Sequence, residues 1–397
     1  MRLWAAVLVV VGLLVSLAGG WTYLAVDGAL TRADANAAQL VRLAELQTSL
    51  VRADADATNA FLVGGLEPPE QRADYDAAMA TVTDRITRAA EAQPADGTVL
   101  AQLNTTVMAY ANGVELARAA NRQGLPVGSQ YLRNASADLR ADALPALAAL
   151  IDANEARVAA EFRAAGNGWL LVVGVGLAGL LAVVLASRWL AGRTHRVLNP
   201  RLVSAGLVLA LLTLVAGAHL GSVSAQVDDV ADTYQAEATA LTAARLAAFD
   251  AKSNESLTLI ARGSGAAFED AWVGSRDAVL DALRTAAATR VGTTDLEARW
   301  ASYADAHAAI RALDDGGSWD QAVAAATSRD AGSANAAFTA FDQASESFLT
   351  AASESTSAAL AAAGRGLTLR LWLAVAAGLL VAYLSWSGIA RRIEEYR

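Results

Sequence analysis

The sequence predicts an all-α integral membrane protein with four transmembrane helices and two extracytoplasmic up-down-up-down four-helix bundles. Three observations predict it. The mean hydropathy of the 397 residues is positive and the apolar residues are clumped rather than spread. Four clumps, 3–26, 169–187, 202–220 and 371–389, are nearly free of charge. About 20 apolar residues at 1.5 Å each cover the hydrocarbon core of a bilayer. The two long segments between them, 27–168 and 221–370, repeat their apolar residues at spacings of three and four, which is helical periodicity.

The first span, Leu3–Val26, follows Met1-Arg2 and carries Ala18-Gly19-Gly20, so a cleaved signal peptide is the alternative. Its apolar run exceeds the 7–15 residues of a typical signal core, and an uncleaved anchor is expected. Lys and Arg in short loops set which side faces the cytoplasm. Arg188, Arg193, Arg196 and Arg201 crowd the link at 188–201, and Arg391, Arg392 and Arg397 follow the fourth span. Those segments are therefore expected in the cytoplasm, with both long segments outside. The cytoplasmic parts are then Met1-Arg2, the link and the tail 390–397, which leaves no room for an output domain in these segments.

In the first long segment Leu43, Leu46, Leu50, Ala53, Ala57 and Ala60 form one helical stripe, and Leu144, Leu147, Ile151, Asn154 and Val158 form another. Turns are expected at Gly64–Pro69, Gln93–Gly97 and Gln123–Gly128, which divide four helices. In the second segment Leu296, Trp300, Tyr303, His307 and Ile310 make one stripe and Phe338, Phe341, Ser345, Phe348 and Ala352 another. Its turns are softer, at Arg262–Gly265, Val291–Thr294 and Asp314–Ser318. A weak echo, Asp54-Ala55-Asp56 against Asp250-Ala251-Lys252, hints that the span-bundle-span unit occurs twice. Such a tandem pair could replace the homodimer of single-bundle receptors, and a homo-oligomer is the alternative.

Function classes narrow by what the sequence holds. There is no cysteine, so disulfides and thiolate metal sites are excluded. The net charge of −9 argues against nucleic acid. His195, His219 and His307 are too scattered for a zinc-protease or triad pattern, and no enzyme activity and no cofactor is expected. Gly174-Val175-Gly176-Leu177-Ala178-Gly179 matches a dinucleotide fingerprint but sits inside an apolar span, where small residues serve helix packing. Gly12, Ser16 and Gly20, and Ala374, Gly378 and Ala382, have the same spacing.

Candidate partner-docking residues follow from loop chemistry. Outside, they are Gly64, Gly65 and Glu67 in one distal turn, and Arg262, Gly263, Gly265, Phe268 and Trp272 in the other. Inside, they are Arg193, Arg196, Arg201, Arg391 and Arg392, and the spans themselves contact membrane lipid. Pro145, within an otherwise helical stretch, is a candidate hinge, or else opens a new helix.

Span, four-helix bundle, span resembles the sensory half of bacterial chemoreceptors. Asn59-Ala60-Phe61-Leu62-Val63-Gly64-Gly65, and Ser256–Gly265 with Phe268-Glu269, together with the four-span layout, resemble the GlnX-type actinobacterial transmembrane sensors. That resemblance implies a link between an extracytoplasmic solute-binding lipoprotein for acidic amino acids, GlnH, and a soluble cytoplasmic Ser/Thr kinase, PknG. The expectation is thus a transmembrane signal transducer reporting an aspartate- or glutamate-class solute. The rivals are a direct small-molecule sensor with its ligand between the bundles, and a non-signalling scaffold of a membrane complex.

Overall fold

A computed structural model of the chain describes residues 1–194, 199–288 and 292–395. Among them there is no strand. Helix α1 runs Arg2–Leu62, α2 Pro69–Ala92, α3 Gly97–Arg122 and α4 Val127–Asp138; a π-helical stretch, Leu139–Ala143, leads into α5 at Leu144–Gly166. Then come α6 Gly168–Thr194, α7 Pro200–Asp229, a second π stretch Val230–Gln235, α8 Ala236–Ile260, α9 Ala266–Ala287, α10 Thr294–Asp315, α11 Trp319–Thr327, α12 Ala334–Ala363 and α13 Leu367–Glu395. Four of these helical runs are long and apolar enough to cross a membrane, as a multi-pass membrane protein requires.

The helix ends have local causes. Gly64 and Gly65 adopt φ of +70° and +63°, a region that costs glycine nothing, and Pro69 starts α2 where its missing N–H is not needed. The α3 C-terminus closes through Gly124 at φ +67°, with the Leu125 amide donating to the Ala120 carbonyl at 2.9 Å. One break is not among the turns expected from the sequence. Between α11 and α12, Ser328–Ser333 forms a connection with Gly332 at φ +87°, and the Asn335 side chain donates to the carbonyls of Ala326 (3.0 Å) and Ser328 (2.9 Å). The segment contains no proline and only one glycine, so periodicity alone reads through it.

The chain divides into two compact units. A membrane unit comprises Met1–Ala35, Arg157–Asp232 and Thr356–Arg397, and a bundle unit comprises 36–156 and 233–355. In the membrane unit Leu8, Val15, Val183, Leu190, Leu209 and Val381 form the core, while Leu17, Leu207, Leu214 and Trp372 are exposed around it, as side chains facing lipid would be. The small residues at four-residue spacing in α1 and α13 pack on each other. A Cβ built on Gly12 would lie 2.6 Å from the Ala382 nitrogen, and one on Gly378 2.6 Å from the Ser16 backbone. The Ser16 hydroxyl donates to the Val375 carbonyl at 2.8 Å across the same contact. Gly176 and Gly179 likewise face Thr213 and Leu209 of α7. The fingerprint-like string is a helix-packing surface.

In the bundle unit the stripes read from the sequence are the buried faces. Leu43, Leu46, Leu50, Ala53 and Ala57 meet Tyr75, Val82, Leu100, Val107, Leu132 and Leu147 in a first core. Trp300, Tyr303, Phe338, Phe341 and Phe249 centre a second. Helix α1 serves both, because Val51, Ala55 and Leu62 on its other side enter the second core. Its neighbour α8 is buried almost all round from Ala248 to Leu259, although that stretch carries Lys252-Ser253-Asn254-Glu255-Ser256. The two bundles therefore share one interior along α1 and α8.

Pro145 is exposed at the second residue of α5, directly after the π stretch. A proline inside a helix has no N–H for the carbonyl four residues back and its ring crowds that carbonyl. A locally widened turn relieves both problems, so the proline and the π stretch explain each other.

Candidate functional site

The bundle unit contains a cleft of about 980 Å³. One wall is α1, whose Glu45, Ser49, Arg52, Asp56 and Asn59 recur every three or four residues and so share a face. Asp74, Thr81 and Arg85 of α2 join it, and the other wall carries Arg245, Phe249 and Lys252 of α8 and Phe338, Asp342 and Glu346 of α12, with Arg329 from the connection before it. The lining carries both signs of charge in near balance.

Most of those charges are already paired. Asp342 accepts from Arg245 at 2.7 Å and also pairs with Arg52, while Glu346 lies 3.3 Å from Arg245. Arg85 holds Glu45 at 3.0 Å, Arg329 pairs with Asp74, and Lys252 donates to Glu255 at 2.6 Å. Asp56 stands apart. Among the described residues it has no hydrogen-bond or ion-pair partner, and it lines the cleft. Burial, reinforced by the negative charge of Asp74, pushes its carboxyl up to about 7 despite Arg52 and Arg329 nearby.

Two buried polar clusters flank the cleft. In one, the fully buried Asp54 accepts four side-chain bonds: Ser136 at 2.5 Å, Arg140 at 2.8 Å, Ser253 at 2.8 Å and Tyr110 at 3.4 Å. Arg140 also donates to Asp250 at 2.9 Å. It lies in the π stretch, so that irregular turn carries the guanidinium that joins the two acids of the sequence echo. In the other cluster His307 is held between Glu255 (Nδ1, 2.9 Å) and Glu269 (Nε2, 3.3 Å) and stacks on Trp272 with ring centroids 3.7 Å apart. Burial works to lower the His307 pKa, but the bonds to the two carboxylates outweigh it and raise it. Burial would raise the pKa of Glu255; Lys252 and His307 reverse this and hold it below its usual value.

The residues singled out in the sequence divide by environment. Gly64 and Gly65 are exposed, and the adjoining Leu66 is 85 % exposed. Glu67 is engaged with Arg118 at 3.0 Å, beside a groove of about 210 Å³ that Arg72 and Arg122 also line. Arg262 and Gly263 are exposed, the Arg262 guanidinium lying 4.0 Å from the Trp319 ring centre. Phe268 is half-buried. Trp272 corrects the expectation of a docking residue: it is 4 % exposed because it covers His307. Gly265 is corrected likewise, being buried where a Cβ would come 2.6 Å from the Thr258 carbonyl oxygen.

Of the arginines expected inside, Arg193 is exposed with its guanidinium 4.7 Å from the Trp189 ring centre, and Arg391 is exposed. Arg201 is half-buried and donates to the Ser387 carbonyl at 3.2 Å. Arg196 and the side chain of Arg392 lie outside the described residues. Sequence reading did not find Asp54, Asp56, Arg140, Arg245 or Asp342. The only signal available was the Asp54–Asp56 echo, whose first and last residues prove to face different surroundings.

No curated protein and no solved structure matches this chain. Residues 29–163, which supply the α1 and α2 walls of the cleft and the Asp54–Arg140 pair, match the family model described as the actinobacterial sensor domain, so this part of the chain is similar to a sensor domain.

Proposed function

We propose that this chain is a transmembrane sensor whose bundle unit lies outside the cytoplasm, takes its input from an extracytoplasmic solute and passes the signal to a soluble cytoplasmic Ser/Thr kinase. The observation that carries the reading is the cleft of about 980 Å³, walled by helices of both bundles and lined by charge of both signs. Small-molecule sites of a few hundred to a thousand Å³ with convergent polar groups are the common pattern. The similarity of residues 29–163 to a sensor domain supports the same role. A solute that bridges the α1–α2 and α8–α12 walls favours one spacing of those helices over another, and that differential affinity is what shifts a two-state equilibrium. Helix α1 then has a part in both units, since it is one helix from Arg2 to Leu62. The kinase would dock on the arginine-bearing helix ends at Arg193, Arg201 and Arg391.

A second reading has the solute, of the aspartate or glutamate class, arrive on a binding lipoprotein. The exposed turn around Leu66, beside the arginine-lined groove, favours it. A detergent pull-down with the full-length chain as bait, against native membrane and cytosol with and without acidic amino acids, tests the proposal. Recovery of a soluble kinase supports the sensor, and recovery of a solute-binding lipoprotein with it selects the second route of input. Recovery of transporter or envelope subunits without a kinase points to a scaffold and contradicts the proposal.

A further inference from the structure

We propose that the cleft is a binding site for a small primary amine, whose ammonium group is held by Asp56 and whose apolar body lies against Phe249 and Phe338. This rests on the reading of the cleft as a solute site and adds the chemistry of the solute. The argument begins from what the cleft leaves unmet. Arg52 and Arg245 neutralise Asp342 and Glu346, Arg85 neutralises Glu45, and Arg329 neutralises Asp74. Among the described residues, Asp56 alone of the lining carboxylates has no donor. Asp56 is half-buried, and a carboxylate partly withdrawn from water without a donor is satisfied most fully by a cation that brings N–H groups with it. A sodium ion would replace charge but would meet the single free carboxylate as its only acidic ligand. An ammonium needs one such anchor and lets the rest of the molecule fill space.

The rest of the lining suits that body. Phe249 and Phe338 meet edge to face at 5.0 Å on the far wall, and Ala55, Ala77 and Ala78 are small residues on the near one. The ring of Phe249 already takes the Arg52 guanidinium 5.2 Å from its centre, so this wall tolerates a cation as well as an alkyl chain.

Proton linkage supplies a second readout. The groups that face Asp56 are Arg52 on α1, Asp74 on α2, Arg245 and Lys252 on α8, Arg329 before α12 and Asp342 on α12. With all of these paired, Asp56 is the group left to titrate near neutrality, at about 7. An ammonium binds the carboxylate and not the acid. Amine affinity therefore rises about tenfold between pH 6 and pH 8 as Asp56 loses its proton.

The test is calorimetric titration of the full chain in nanodiscs with n-butylamine, at pH 6 and pH 8, beside sodium butyrate and sodium glutamate. Expected are saturable butylamine binding, about tenfold tighter at pH 8, and at least a tenfold loss in Asp56→Asn at pH 8. Asp56 holds no partner among the described residues, so Asp56→Asn keeps the fold. As an independent variant, Thr339→Trp fills the cleft from an exposed position on α12 and weakens binding too. Butylamine affinity unchanged in Asp56→Asn, or no saturable binding at either pH, overturns the proposal. Butyrate or glutamate binding in the place of butylamine also overturns the amine, while leaving the cleft as a solute site.

Discussion

Asp54 and His307 show how much of this unit is decided by single buried charges. Asp54 is wholly enclosed and satisfies donors from four other helical stretches, so Asp54→Asn leaves the Arg140 guanidinium short of a counter-charge. Removing one member of a buried pair costs about 3 kcal/mol or more. The urea midpoint of the bundle unit should fall accordingly, read by circular dichroism. His307 gives a dependence on pH. Its folded-state pKa is raised above 6.5, so the stability it contributes is fully present below that value and is lost as pH rises through the folded pKa. Asp56, raised from 3.8 to about 7, has the same sign, with its contribution lost as pH rises between those values. Thermal unfolding in nanodiscs should therefore give a lower midpoint at pH 8 than at pH 5.5, and His307→Gln should flatten that difference. An unchanged slope in His307→Gln would place the titration elsewhere.

These residues were the least legible in the sequence, and the reason is physical. Spacing tells which face of a helix is buried when polar residues mark the opposite face. Lys252, Ser253, Glu255 and Ser256 are polar and follow one another on α8, yet all four are buried. His307, by contrast, was legible as a stripe residue, and only its two carboxylate partners had to come from the fold. Burial of charge by a second bundle leaves no local trace, because the partners Asp54–Ser253 and Glu255–His307 are 199 and 52 residues apart.

At the scale of elements, the helices and their turns were readable wherever backbone chemistry demanded particular residues. Gly64-Gly65 with Pro68-Pro69, and Gly124 with Pro126, mark their turns because few other residues fit. The connection 328–333 has no such demand and escaped notice. Small residues in the spans were equally readable, and the α1–α13 contact turns them into a measurable effect. A methyl group at Gly378 would meet the Ser16 backbone at 2.6 Å, so the helices must separate. Overpacking of this kind costs about 1–3 kcal/mol. Gly378→Ala should lower the thermal midpoint in detergent, whereas Gly174→Ala, where nothing lies within 4 Å, should not. Pro145→Ala restores the missing N–H beside the π stretch and should shift Arg140 on its turn. The check is hydrogen exchange across residues 136–150, which should slow if the widened turn closes.

For the whole molecule, the four spans and the placing of arginines at their ends followed from hydropathy and charge, while the shared interior of the two bundles did not. Sidedness can be read directly, since the chain has no cysteine to confuse labelling. A cysteine in place of the exposed Leu66 should react with an impermeant maleimide in intact cells, and one in place of Arg193 only after the cells are opened. The proposed relay carries a signal across the membrane to a Ser/Thr kinase. Its test is quantitative phosphoproteomics of cells lacking this chain, complemented with the wild type or with Arg193→Glu/Arg391→Glu. Deletion should change a defined set of Ser/Thr phosphorylations, restored by the wild type and not by the charge-reversed chain; a phosphoproteome that deletion leaves unchanged would rule the relay out.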